Sequence, residues 1–183
     1  MSDRRDQHVI LSGCSGGGKT TLLAELARRG HATVPEPGRR IVAEEMACGG
    51  TALPWTDLAA FARRALALAT ADRAALEPRK GWVFFDRGVI DAAVALSHAT
   101  GQPLATLLQG QPLFHPRVFL VPPWREIFEA DAERRHDMEE GLREYHRLKA
   151  AYRRLGYDPL VLPRTSTAMR ADLVLDRLGP PPV

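Results

Sequence analysis

The run Gly13-Cys14-Ser15-Gly16-Gly17-Gly18-Lys19-Thr20 constrains this chain more than any other feature. It matches G-x-x-x-x-G-K-[ST] at every fixed position, between a strand-like His8 to Ser12 and a helical Thr20-Thr21-Leu22-Leu23. Backbone N–H groups that converge on a polyanion need positive φ angles and no Cβ in the way, which Gly13, Gly16, Gly17 and Gly18 permit. A helix starting directly after the loop sets its positive dipole end against the anion. In this pattern Lys19 reaches the outer phosphate oxygens, the Thr20 hydroxyl ligates Mg2+, and Cys14, Ser15 and Thr21 complete the cradle. Of the 25 Lys and Arg residues only Lys19, Lys80 and Lys149 are lysine, so a compact point charge is expected where Arg is otherwise preferred.

The rest of the chain alternates short apolar runs with longer helical ones. Strands are expected at His8 to Ser12, Ala32 to Glu36, Trp82 to Asp86, Val118 to Val121 and Leu160 to Leu162. Leu58, Phe61, Ala65, Leu68 and Asp72 recur at helical spacing behind Thr56 as N-cap. Met138, Leu142, Tyr145, Leu148, Tyr152 and Leu155 draw a second stripe that ends at Gly156, and Ser166 is expected to cap a last helix through Leu178. Five strands separated by helices imply right-handed crossovers and a parallel sheet covered on both faces, an α/β/α sandwich. No repeat or long linker interrupts the 183 residues, so one domain is expected over 1–183.

Composition narrows the class. Hydrophobic residues make up 45% and charged residues 26%, as in ordinary globular chains, and no apolar run approaches the roughly 20 residues that cross a bilayer. The polar start Met1 to Gln7 lacks the apolar stretch of a secretory signal, and Cys14 and Cys48 form no metal-binding pattern. A cytoplasmic protein with free thiols is expected. Net charge is only +3, with arginines spread in pairs such as Arg28-Arg29 and Arg153-Arg154, so no nucleic-acid partner is expected. The oligomeric state is not legible.

In such sheets ligands gather at the carboxyl ends of strands, which directs attention to Glu36 and Asp86. Trp82-Val-Phe-Phe-Asp86 has the form of the strand whose carboxylate holds the Mg2+ shell; the other reading of Asp86 is an N-cap for the helix from Val89. Arg87 follows, where a mechanical ATPase would carry a water-activating glutamate, and an arginine there suits charge neutralisation in phosphoryl transfer. Glu36 reads either as a general base or as an ion-pair partner of Arg39 or Arg40. Trp55 reads as an acceptor-stacking ring or as a helix-start staple. With no Asn-Lys-x-Asp and no Asp-x-x-Gly at a strand end, ATP is expected over GTP. Arg164 and Arg170, after the last strand, are candidate contacts to the base by position.

Taken together, Pro35-Glu36-Pro37 and Asp86-Arg87-Gly88 resemble the nucleoside and nucleotide kinase branch of the P-loop proteins. The chain is also similar to a bacterial group of predicted ATPases with a nicotinamide-riboside-kinase-like AAA-type domain. That pattern runs through Val34-Pro-Glu36 with Arg39, Leu53-Pro-Trp55 with Asp57, Phe85-Asp-Arg-Gly88 with Asp91, Pro123-Trp124, Asp131 with Arg134, and Leu155-Gly-Tyr157. The resemblance implies that Glu36 serves as base for the acceptor hydroxyl and that Arg87 lies near the phosphates. It further implies a helical lid at about 125–140 that carries Arg134. Gly88 departs from related kinases, which often carry a larger residue there. The expected activity is transfer of the ATP γ-phosphoryl group, with Mg2+, to a small acceptor held by Glu36, Arg39, Trp55 and Arg87. The rival reading is a nucleotide-gated switch with slow hydrolysis.

Overall fold

Runs such as Val9-Ile10-Leu11 and Val83-Phe84-Phe85 are apolar at successive positions, which a strand sustains only when both of its faces are covered. The structure, a computed structural model, describes residues 7–13, 15–77, 80–111, 114–124 and 135–181. In it these runs form β1 (His8–Gly13), β2 (Ala32–Val34), β3 (Val83–Asp86), β4 (Arg117–Val121) and β5 (Asp158–Val161). Val9, Ile10, Leu11, Phe84, Phe119 and Leu120 are fully buried. Every pairing is parallel, in the order β2-β3-β1-β4-β5. Leu11 stands opposite both Asp86 and Phe119, so the chain leaves β1 between the carboxyl ends of β3 and β4. The strand order reverses direction around β1, and such a reversal opens a crevice for ligand.

Seven helices complete the α/β fold among the described residues: α1 (Lys19–Arg28), α2 (Pro37–Cys48), α3 (Leu58–Ala74), α4 (Val89–Thr100), α5 (Leu104–Leu107), α6 (Arg135–Arg154) and α7 (Thr167–Leu178). The chain forms two compact units. The first takes Met1–Val34, Lys80–Asp86 and Phe114–Val183, and the second Pro35–Arg79 and Arg87–Leu113.

In the first unit, α1 sends Leu22, Leu23 and Leu26 into a core with Val9, Leu11, Trp82, Phe84, Phe119, Leu162, Ala171 and Val174. Burial of each leucine stabilises by about 1.5–3 kcal/mol, far above helix propensity differences, so packing fixes α1 where the loop needs it. On α6, Tyr145, Leu148 and Tyr152 are buried at the expected spacing, whereas Leu142 is 41% exposed. In the second unit, the buried face of α3 is Ala62, Ala65, Ala69 and Arg73; of the expected stripe of Leu58, Phe61, Ala65, Leu68 and Asp72, only Ala65 lies on it. Small alanines let α3 approach α4 closely, while Phe61 and Leu68 pack at the edge of a cluster of Ile41, Ala65 and Ala92.

Local signals decide the element ends. Ser166 caps α7 as expected, accepting from the Met169 N–H at 3.3 Å. Gly156, at φ +82°, follows α6. Thr56 does not cap α3: its N–H donates to the Leu53 carbonyl in a turn, and Asp57 accepts from the Ala60 N–H instead. Strand β2 stops at Val34, and Glu36 becomes the N-cap of α2, because Pro37 at N1 lacks a donor and its fixed φ favours a helix start. Of the expected lid, residues 125–134 lie outside the described residues, and Arg135 opens α6. No described helix is long and apolar enough to cross a membrane.

Candidate functional site

The loop between β1 and α1 belongs to the first unit. A Cβ on Gly13, at φ +114°, would fall on the Val121 carbonyl of β4, so only glycine turns the chain there. Gly16 and Gly18 also hold positive φ, at +75° and +83°. Gly18 is the N-cap of α1; it offers no capping side chain, and the first turn carries no acidic residue. A helix start without a side-chain cap or an acidic first turn suits an external anion, which the helix dipole also favours. Lys19, first in α1, is 5% exposed. Ser15, Gly16, Thr20 and Thr21 face solvent, and Gly17 is buried.

Thr20 Oγ1 donates to Asp86 Oδ2 at 3.2 Å, which joins the helix start to the end of β3. Asp86 is 2% exposed, and it is not the cap of α4: Gly88 holds that place, its N–H donating to Asp91 Oδ2 at 3.1 Å. A hydroxyl and a carboxylate one hydrogen bond apart are oxygen donors suited to Mg2+. No cluster of three or more His, Cys, Asp or Glu side chains able to hold a metal occurs among the described residues.

Arg170, on α7, reaches the same loop. Its Nη1 donates to the Gly17 carbonyl at 3.0 Å, and its guanidinium carbon lies 5.5 Å from the ring centroid of Trp124. Position in the sequence had suggested a contact to the base; the structure sets Arg170 against the loop backbone. Arg164 donates to the Pro123 carbonyl at 2.6 Å.

The second unit gathers Glu36, Arg39 and Arg87. Glu36 Oε2 accepts from Arg39 Nε at 3.1 Å, and Glu36 Oε1 lies 3.2 Å from Arg87 Nε. The Arg87–Glu36 pair is shielded, with side chains 14% and 19% exposed, whereas Arg39 is mostly in solvent. Arg87 is the one non-glycine residue at positive φ, +61°, among the described residues. Such a conformation costs on the order of 1–3 kcal/mol and collects at functional positions. Gly38 opens the space beside Glu36, since a Cβ there would come within 3.1 Å of the Phe61 ring and 3.5 Å of Glu36 Oε1. The Phe61–Gly38 neighbourhood was not foreseen, although Gly38 follows Glu36-Pro37 directly. Trp55 stands 67% exposed and makes no ring contact or hydrogen bond within this group. Cys14 and Arg134 lie outside the described residues.

A family model described as an AAA domain matches residues 8–170. No curated protein sequence matches significantly. Among solved structures, the deoxyadenosine kinase of M. mycoides with bound dCTP is similar at a TM-score of 0.58 and 14% identity, covering 93% of this chain and 98% of that one. Its form with dCMP and dCDP gives the same score and identity. Shikimate kinase from Acinetobacter baumannii, in complex with shikimate, is similar at a TM-score of 0.52 and 19% identity, covering 94% and 92%. At these identities the likeness is one of fold: a five-stranded parallel sheet with flanking helices, as in P-loop kinases.

Proposed function

Because the chain belongs to the AAA-domain family of P-loop proteins and has a nucleotide-kinase-like fold, we propose that it is a phosphotransferase using ATP and Mg2+ on a small-molecule acceptor. The observation that carries this reading is the Thr20–Asp86 hydrogen bond beside the uncapped start of α1. It joins the two oxygen donors the motif assigns to the metal. Arg87, in the place after Asp86, favours transfer over water activation.

In this reading the loop amides from Gly13 to Gly18, with Ser15 and Thr21 at the rim, bind the polyphosphate, and Lys19 neutralises its outer oxygens. Cys14 belongs to the same cradle. Thr20 and Asp86 hold Mg2+, which when bound withdraws charge from the β- and γ-phosphate oxygens. Glu36 takes the proton of the acceptor hydroxyl as its oxygen bonds to the γ-phosphorus. The bond from that phosphorus to the bridging oxygen breaks, and ADP leaves with the electron pair. Arg87 and Arg134 meet the charge of the transferred group, while Arg39 and the exposed Trp55 ring contact the acceptor. Positioning and charge supply most of the rate, because phosphoryl transfer asks for little covalent help. Use of ATP as the phosphoryl donor points to the cytoplasm.

The test is ADP release from MgATP with and without a panel of nucleosides and small hydroxy acids. A kinase releases ADP in proportion to acceptor. Slow release that no acceptor accelerates would contradict transfer and make the protein a nucleotide-gated switch.

A further inference from the structure

Arg170 is 3% exposed, more deeply buried than most arginines in folded proteins. A buried guanidinium is ordinarily met by a carboxylate, and among the described residues none is paired with Arg170. Its only polar partner there is a neutral carbonyl, that of Gly17; its Nε is buried without a hydrogen-bond acceptor, and the ring of Trp124 covers one face. Burial alone pulls its pKa below the ordinary arginine value. Gly18 makes room for it: a Cβ on Gly18 would sit 2.8 Å from Arg170 Nη2. The chain thus keeps a desolvated cation, met by no acid among the described residues, directly behind the phosphate loop. Such an arrangement costs folding stability and is retained where it serves a ligand.

The peptide between Gly17 and Gly18 gives the cation a specific task. The peptide is trans, so the Gly17 carbonyl and the Gly18 N–H point in opposite directions. Arg170 holds the carbonyl, which sends the Gly18 N–H away from α7 at the N-cap of α1. Without that anchor the Gly17–Gly18 peptide, flanked by residues with no Cβ, could flip and present a carbonyl to the anion.

We propose that Arg170 is a positioning residue for the phosphate site: it fixes the Gly17–Gly18 peptide so that the Gly18 N–H meets the polyphosphate, and its buried charge finds its counterion in that polyphosphate. This rests on the reading of the loop as a nucleotide site. It also separates stability from binding, because a buried cation that no described carboxylate meets burdens the empty protein and is relieved by the anion.

The experiment measures affinity for MgATP and for inorganic tripolyphosphate, together with the ligand-free melting temperature, in wild type, Arg170→Met and Arg170→Lys. Met keeps an unbranched apolar stem but neither charge nor donor. It should weaken both ligands by about 10- to 100-fold, the usual worth of a charge-assisted hydrogen bond, while the ligand-free melting temperature holds or rises. Lys keeps the charge without the planar fork and should recover part of the affinity. Arg170→Met binding within about twofold of wild type overturns the inference. So does a parallel fall of affinity and ligand-free stability, which marks a merely structural residue. If the Met variant does not fold, Arg170→Lys decides: weaker binding at an unchanged melting temperature supports the inference, and unchanged binding overturns it. Wild-type protein that binds neither ligand overturns the nucleotide reading as well.

Discussion

A carboxylate gripped by two guanidinium groups has its oxygens aimed, and Glu36 is held this way by Arg39 and Arg87. The ion-pair reading of Glu36 is thus present in the structure, and the base reading depends on what the pair does in turnover. Glu36→Gln keeps shape and removes the charge and the base. General-base catalysis is typically worth about 100- to 10,000-fold, so acceptor-dependent turnover should fall by that order while ATP affinity stays level. Arg87→Ala should lower both, since in the proposed mechanism its charge acts on phosphate in the ground state and the transition state alike. A Gln variant that melts earlier yet turns over at the wild-type rate would reduce Glu36 to a structural partner. At this scale the loop glycines, Lys19, Thr20 and Asp86 were legible because one short motif and one apolar strand carry them. Arg170 was legible only by position. Its neighbours Met169 and Ala171 mark an ordinary amphipathic helix, and its partner Gly17 lies 153 residues away.

Helix starts separate what local sequence dictates from what packing decides. Ser166 was readable as a cap because a serine three residues before a backbone donor has one obvious task. Thr56 and Asp57 are adjacent candidates, and the turn that returns the Thr56 and Asp57 N–H groups to the Leu53 carbonyl settles the choice for Asp57. Asp57→Ala should therefore cost about 1 kcal/mol of unfolding free energy, and Thr56→Ala should cost almost none, in urea titrations of both variants. Equal losses would return the cap to Thr56. The buried face of α3 was misjudged for a related reason: hydrophobicity ranks Leu58, Phe61 and Leu68 above alanine, but a close helix–helix approach admits only the small side chains. Glu36 was read as a strand end because Ala32 to Glu36 is continuous in pattern, and Pro37 converts its last residue into a helix cap.

Across the whole molecule, the parallel sheet was legible because continuous apolar runs have few other uses in a chain of this length. The division of the chain was not: its path passes between the two units four times, among them at Val34–Pro35 and at Asp86–Arg87. No linker composition marks either crossing. Both fall beside candidate site residues, Glu36 and Arg87, which belong to the second unit. The proposed transfer begins with nucleotide on the loop of the first. The most direct measurement is the melting temperature of wild type and Lys19→Ala against rising MgATP. A ligand that binds only the folded state stabilises by about 2.7 kcal/mol at a hundred times its dissociation constant, so the wild-type midpoint should climb steadily with concentration. Lys19→Ala should fold without ligand and show almost no climb. A variant whose midpoint rises with MgATP as steeply as wild type would contradict the phosphate-binding role of this loop, and with it the account built on that role.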